Sequence, residues 1–214
     1  MLVRTTRSRV YCATSNPGKL REFQLAAQEC KAGFPLEIAI LPGLGAITPC
    51  EETGVTIEEN AVLKAEYYSG KSPGLVFAED SGLEVPALGG APGVYSARFA
   101  GPGADDDRNN RLLLERLRGA QDRSARFVCV IALAEVGKVL GTVRGVVSGN
   151  ILESPRGTNG FGYDPLFFYP PLGCTFGELT AERKLQVSHR GKAIAALMAL
   201  LLSEPSEIPA PPDR

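Results

Sequence analysis

Four stretches of this chain place reactive or ligand-binding residue types at spacings that chemistry uses. The first is Thr14-Ser15-Asn16-Pro17-Gly18-Lys19, set between an apolar run and a helical pattern. Free backbone N–H groups at a helix start, a glycine and a lysine charge together receive an anion well. The Gly-x-x-x-x-Gly-Lys-Ser/Thr pattern of a P-loop is missing, because Ala13 holds its first position and Leu20 its last. A Pro-Gly turn capping a helix is the plainer alternative. The second stretch is Glu79-Asp80-Ser81-Gly82, directly after a short, wholly apolar run. Carboxylates at the end of a buried strand lie at the rim of the sheet, where α/β ligands bind, and successive ones face opposite sides. A carboxylate placed there holds Mg²⁺ or orients a water; a strand-ending turn is the alternative. Glu51 and Glu52 offer further acids.

The third stretch is Gly157-Thr158-Asn159-Gly160-Phe161-Gly162-Tyr163-Asp164-Pro165. Glycines around Phe161 and Tyr163 let a planar ligand approach the backbone while aromatic faces cover it. The third glycine of a dinucleotide fingerprint is absent. The fourth is Lys184-Leu185-Gln186-Val187-Ser188-His189-Arg190. His189 is the only histidine in the chain, which excludes histidine-cluster metal sites. No Gly-x-Ser-x-Gly elbow accompanies it. Lys184 and Arg190 bring donors able to read carbonyl oxygens. An anion loop, carboxylates for a hard cation, an aromatic-glycine slot and basic donors together suit a nucleoside triphosphate with Mg²⁺.

These stretches need elements to hold them. Arg9–Thr14 reads as a strand, followed by a helix over Lys19–Glu29 with Leu20, Phe23 and Ala27 on one face. Leu36–Leu41 reads as a second strand. Thr56 and Glu59 form a capping box that opens a helix to about Ser69, with Ile57, Ala61, Ala65 and Tyr68 aligned. Leu75–Ala78 is a strand ending at the acidic stretch, and Asp105–Leu117 is helical with acids at its start. Ala125–Leu133 and Val139–Val147 predict a hairpin. Thr175 with Glu178 predicts a helix start, and Gly191–Leu202 a last helix with Ile194, Leu197, Met198 and Leu201 toward the core. The hairpin breaks a pure βαβ rhythm, so a mixed-sheet α/β domain is expected.

Composition bounds the reading. With 214 residues, 44% hydrophobic and 22% charged, the chain fits one domain with a sizeable core. We expect that domain over residues 1–202, followed by a flexible Pro-rich tail at 203–214. Twenty-three basic residues against 24 acidic ones argue against a nucleic-acid partner. The five cysteines, Cys12, Cys30, Cys50, Cys129 and Cys174, are scattered and form no C-x-x-C pair, so neither disulfides nor a zinc knuckle is expected. The first ten residues lack the apolar stretch of a signal peptide, and the longest apolar run, Ala193–Leu202, is about half of the ~20 residues a membrane span needs. A cytoplasmic protein without a membrane partner is the expectation.

Taken in order, TSNPGK (14–19), EETG (51–54), AEDSGL (78–83), LGGAPGVYSARFAG (88–101), GTNGFGYDP (157–165) and K-x-x-x-x-HR (184–190) resemble the motifs of the inosine triphosphate pyrophosphatase family. The resemblance runs from about residue 9 to 202. It implies a single elongated α/β domain whose mixed central sheet is flanked by helices, with the site in a cleft between two lobes, and a homodimer. It implies hydrolysis of ITP, dITP and XTP to the monophosphate and pyrophosphate with Mg²⁺, clearing deaminated purines from the nucleotide pool. Thr14, Ser15, Asn16, Pro17, Gly18 and Lys19 map to the triphosphate loop. Asp80 maps to the metal-binding, water-activating acid, with Ser81 beside it and a second metal carboxylate near Glu51, where the adjacent Glu52 is not distinguished from it. Phe161, Gly162, Tyr163, Asp164, Lys184, His189 and Arg190 map to base recognition. Ser15, Glu79 and Asn159 depart from the commonest family residues without removing a group the reaction needs.

On this reading water attacks the α-phosphorus, Asp80 orients or deprotonates it, and Lys19 with the loop amides stabilises the leaving pyrophosphate. A donor such as Arg190 or a backbone N–H facing position 6 accepts hypoxanthine or xanthine and meets adenine donor against donor. The competing readings are a Maf-like pyrophosphatase acting on dTTP or UTP, and a nucleotide-binding sensor without catalysis.

Overall fold

The computed structural model describes residues 9–29, 37–72 and 74–202. Cys30, Leu36 and the Pro-rich tail at 203–214 lie outside the described residues. The elements in order are β1 (Arg9–Cys12), α1 (Pro17–Glu29), β2 (Glu37–Ile40), α2 (Ile57–Ser69), β3 (Leu75–Glu84), α3 (Asp106–Arg116), β4 (Ser124–Glu135), β5 (Lys138–Ile151), β6 (Phe167–Tyr169), β7 (Cys174–Thr175), α4 (Ala181–Val187) and α5 (His189–Leu202). The strands form one mixed sheet in the order β2-β1-β3-β4-β5-β6-β7. β1 runs parallel to β2 and β3, and every other pair is antiparallel.

Local chemistry sets the element ends. Thr56 caps α2 by accepting the Glu59 N–H at 3.1 Å, and Glu58 and Glu59 sit where the helix dipole favours acids. Ile57, Ala61, Ala65 and Tyr68 then bury one stripe of α2 against the sheet. The β4–β5 hairpin turns on Val136 and Gly137, with φ of 50° and 76°. That two-residue geometry matches the right-handed twist of the strands it joins, and Gly137 is its natural residue. The Gly137 N–H reaches Ser69 Oγ at 3.0 Å, which ties the hairpin tip to the end of α2.

Several boundaries differ from the sequence expectation: α1 opens at Pro17 rather than Lys19, β1 ends at Cys12 rather than Thr14, and β5 runs to Ile151 rather than Val147. β3 does not end at Ala78: all ten of its residues pair with β4, from Leu75 opposite Glu135 to Glu84 opposite Arg126. The Glu79-Asp80-Ser81-Gly82 stretch is therefore strand interior, not a turn at a rim. A long antiparallel partner overrides the low strand propensity of these residues. The capping box of Thr175 and Glu178 forms, but Leu179 is extended, so it opens only a single 3-10 turn. α4 starts after its own cap, Thr180. α5 begins at His189, two residues before the expected Gly191.

The sheet buries both faces. On one side Phe23 of α1 and Ile194, Leu197 and Met198 of α5 pack on Val10, Phe77, Cys129 and Ile131. On the other, α2 packs on Val76, Ala78, Val128 and Val130. A third cluster joins α3 to Phe127, Phe167 and Phe176. Chain order reverses at β1, whose neighbours β2 and β3 are reached by helices on opposite faces. Such a switch point leaves a crevice beyond the strand's carboxyl end, and Thr14–Lys19 fills it.

Candidate active site

β1 pairs with β3 only through Tyr11 and Cys12, opposite Val76 and Phe77, and Ala13 N–H adds a last bond to the Phe77 carbonyl. The β1 chain then turns away into the Thr14–Lys19 loop. Among the described residues no strand pairs with β3 on that side from Glu79 to Gly82. Contact resumes where Leu83 N–H donates to Ser96 Oγ at 2.9 Å and Glu84 bridges Pro92. This gap in the sheet is the site. Strand alternation sends Glu79 and Ser81 to the α1/α5 face and Asp80 to the α2 face.

On the α2 face, Lys64 Nζ lies 2.8 Å from Asp80 Oδ1 and 3.1 Å from Glu52 Oε1. Arg98 closes on Glu52 Oε2 at 3.4 Å. Burial disfavours a charged Lys64, but Asp80 and Glu79 outweigh it and raise its pKa, so the ammonium stays charged. For Asp80, burial outweighs Lys64 and raises the carboxyl above its ordinary range. Its Oδ2 is buried with no hydrogen-bond partner. Of the two neighbouring acids, Glu52 turns toward Lys64 and Asp80, while Glu51 is exposed. Asn60 Oδ1 accepts the Gly54 N–H at 2.8 Å and anchors this loop to α2.

On the α1/α5 face Lys19 Nζ pairs with Glu79 Oε1, and the Cys129 thiol touches Glu79 Oε2. Burial would raise the Glu79 pKa, but Lys19, Arg190 and Lys64 outweigh it and hold it at about 2. Arg190 pairs with Glu22 and donates to Ser81 Oγ at 3.0 Å, leaving Nε without a partner. Lys184 Nζ bridges Glu22 Oε1 at 2.8 Å and Asp164 Oδ2 at 2.6 Å. Asp164 Oδ2 also accepts the Phe161 N–H at 2.9 Å. Phe161 thus carries the Lys184 ammonium 4.8 Å and the Arg190 guanidinium 5.3 Å from its ring centroid, a pair of cation–π contacts. His189 is buried and stacked on Phe127, centroids 4.7 Å apart. Burial first, then Arg190, Lys184 and Lys19, hold its pKa well below the ordinary 6.5, so it is neutral.

The phosphate-type loop meets the aromatic slot directly. Asn16 Oδ1 accepts the Lys19 N–H at 3.1 Å and caps α1, and Thr14 Oγ1 accepts the Asn16 N–H at 3.2 Å. Ser15, Asn16 and Pro17 are exposed. A Cβ on Gly18 would stand 3.2 Å from the Phe161 ring, so the ring packs against the loop backbone. Tyr163 is buried and donates to the Ser96 carbonyl at 2.8 Å, so it supports the slot from behind.

The predicted residues therefore gather around one strand edge. Ser81, Phe161, Asp164, Lys184 and Arg190 are joined through direct contacts, Lys19 reaches the same strand through Glu79, Asp80 pairs with Lys64 on the other face, and Glu51 stands apart. Two participants were not read from the sequence. Glu22 links Lys184 to Arg190, and Lys64 links Asp80 to Glu52. Each sits on a helix that otherwise turns apolar residues to the sheet. Asn60 and Lys64, four residues apart beside the Ala61–Ala65 stripe, continue the buried face of α2 with polar groups. That mismatch is the signal that would have found Lys64.

Residues 10–200 match the sequence model of the Ham1 family. The chain is 51% identical over 201 residues to the dITP/XTP pyrophosphatase of Acidobacterium capsulatum, covering 90% of this chain and 97% of that one. The structure of the Ham1 protein of Staphylococcus aureus superposes with a TM-score of 0.79 at 41% identity, over 90% of this chain and 97% of that chain. A HAM1 protein structure from Coxiella burnetii gives 0.79 at 40%, covering 90% and 98%. The likeness runs through the whole sheet and both faces of its open edge rather than through one motif, and the chain belongs to the Ham1 family.

Proposed function

We propose that this protein hydrolyses non-standard purine nucleoside triphosphates, ITP, dITP and XTP, to the monophosphate and pyrophosphate with Mg²⁺, and so clears deaminated purines from the nucleotide pool. The observation that carries the reading is the contact between its two halves. The capped Thr14–Lys19 loop packs against the Phe161 ring, while Lys19 and Lys64 flank the open β3 edge that holds Asp80. A base against Phe161 places its phosphates along that edge, in the cleft that the resemblance implies. The dITP/XTP pyrophosphatase of A. capsulatum, identical at half of the aligned positions, supports the same substrate class.

The residues present fit a hard cation. Asp80 Oδ2 is a buried carboxylate oxygen with no donor, and Glu52 brings a second acid to the same lysine. Among the described residues no three His, Cys, Asp or Glu side chains cluster as a ready metal cage. One or two carboxylates completed by substrate phosphates is the arrangement Mg²⁺ favours. Asp80 and Glu52 would hold it, and when bound it neutralises phosphate charge. Asp80 orients the attacking water or accepts its proton. Lys19 and the loop amides stabilise charge on the leaving pyrophosphate. The partnerless Arg190 Nε is a guanidinium donor left for a purine oxygen, since its terminal nitrogens engage Glu22 and Ser81. The protein acts as a homodimer in the cytoplasm on this reading, and light scattering tests the dimer.

Pyrophosphate release from ITP, dITP, XTP, GTP, ATP and dTTP, with and without EDTA, tests the function. Turnover concentrated on ITP, dITP and XTP and abolished by EDTA is expected. Fast dTTP turnover would move the chain to a Maf-like activity, and no turnover would leave a nucleotide-binding sensor.

A further inference from the structure

Phe161 lies between two glycines in left-handed backbone, Gly160 at φ 77° and Gly162 at φ 63°. Such a turn has no side chains of its own to fix it. From inside, Asp164 holds the Phe161 N–H. From outside, the grip comes from α3, which belongs to none of the motif stretches beside it. Asp106 Oδ2 accepts the Gly162 N–H at 2.6 Å, and Asn110 Nδ2 donates to the Gly162 carbonyl at 3.0 Å. One peptide unit on each side of Gly162 is thus held by two side chains spaced four residues apart, hence on one helix face.

The helix that carries them is itself fixed. Leu113 and the following Leu117 are fully buried in the third core cluster. Asn109 accepts the Ala100 N–H at 2.8 Å and donates to the Ala97 carbonyl at 3.2 Å. Packing does not back the glycine turn. A hollow of about 480 Å³ lies between α3 and the turn, bordered by Asp106, Asn110, Leu114, Gly160 and Gly162. The turn therefore has room to swing away from Lys184 and Arg190 when the grip is lost. Asn110 Oδ1 is buried without a partner, so its amide is kept in place for the one bond to Gly162.

We propose that Asp106 and Asn110 are positioning residues for nucleobase recognition: by clamping the Gly162 backbone they set the height of the Phe161 ring over the site. The inference rests on the proposed function, because it assigns the ring to the base. Neither side chain touches the phosphate loop or Asp80, and the Phe161 ring that they hold packs on Gly18 of that loop, so the clamp acts on base affinity first and on phosphate binding less.

The test uses the full chain and the variants Asp106→Ala, Asn110→Ala and Asp106→Asn. Hydrogen exchange of the 157–165 segment is measured without ligand, then KM and kcat for ITP, then binding of inorganic tripolyphosphate, which has no base. The clamp predicts exchange at least ~10-fold faster in both alanine variants. It also predicts an ITP KM raised about 5–20-fold, kcat within about 3-fold, and tripolyphosphate affinity weakened by less than the ITP KM is raised. Asp106→Asn keeps an acceptor oxygen and stays near the wild type. Unchanged exchange overturns the clamp even for a protein that hydrolyses nothing. Faster exchange with an unaltered KM, or equal weakening of ITP and tripolyphosphate, also overturns it. Absence of pyrophosphate release by the wild type refutes the proposed function instead, and is read before any variant.

Discussion

Gly145 offers a way to move the site from behind. It lies in β5 under the first turn of α5, and a Cβ built there would stand 2.0 Å from the His189 carbonyl oxygen and 2.6 Å from the Ala193 nitrogen. An ordinary carbon–oxygen contact is about 3.3 Å, so Gly145→Ala must push the helix start away by about 1.3 Å. Both atoms are backbone and no rotamer change relieves them. The displaced turn carries His189 and Arg190, and with Arg190 go its bonds to Glu22 and Ser81. Overpacking of this kind costs roughly 1–3 kcal/mol, and an ångström of misplacement costs about 10²-fold in rate. The expected result is a folded protein whose kcat/KM for ITP falls about 10²-fold. Ile38→Ala in β2, 5% exposed, supplies the control: its cavity in the cluster shared with α5 costs about 2–5 kcal/mol but forces no backbone of the helix start aside, so turnover at 25 °C persists. Urea midpoints and steady-state kinetics on both variants decide the matter. A folded Gly145→Ala with wild-type kcat/KM, or an Ile38→Ala that loses as much activity, would refute the reasoning.

Asp80→Asn removes the proton acceptor at nearly constant volume and is expected to reduce pyrophosphate release by roughly 10²–10⁴-fold with the fold retained, as circular dichroism would show. Lys64→Met leaves Asp80 and Glu52 without their shared cation; denaturant titration at pH 7 should show a loss of about 3–5 kcal/mol, and an unchanged midpoint would contradict the pairing. His189 is held neutral in the folded chain, with its pKa depressed below the ordinary 6.5. Its contribution is therefore present above pH 6.5 and is lost as pH falls below it, when the unfolded chain takes up a proton that the folded one refuses. Urea midpoints at pH 7.5 and 5.5 should drop for the wild type and drop less for His189→Phe; equal drops would show that His189 does not titrate this way.

The parts of the structure legible in the sequence are those governed by short-range chemistry. The Thr56–Glu59 pair marked the start of α2, and the four aligned apolar residues of the helix all reach the core. The hairpin followed from two apolar runs separated by Ala-Glu-Val-Gly-Lys, and it turns on Val136 and Gly137. What escaped was set by partners distant in the chain. Glu79-Asp80-Ser81-Gly82 reads as a turn until β4, some fifty residues later, pairs with it throughout. Gly82 is strand residue and spacer at once, since a Cβ there would stand 2.3 Å from the Gly93 carbonyl. Glu22 and Lys64 went unread because their counterions lie on other elements. Glu52 and Glu51 are neighbours in sequence, and only the fold turns one of them inward.

The ordering of strand lengths across the sheet bears on how the protein survives at high concentration. Among the described residues the long strands β3 and β4, with 10 and 12 residues, are interior and the outermost strands are β2 with four residues and β7 with two, while β5, with 14, meets β6 only at Asn150 and Ile151. An exposed strand edge is a template on which another chain can add, and its hazard grows with its length. Those two strands are too short to template a stable addition, so the edge open to one is Lys138 to Gly149 of β5. The shorter gap along β3, Glu79 to Gly82, lies inside the sheet beside charged side chains that no apolar strand would accept. The opening proposed for the nucleotide is therefore guarded against strand addition by the acids and lysines that border it.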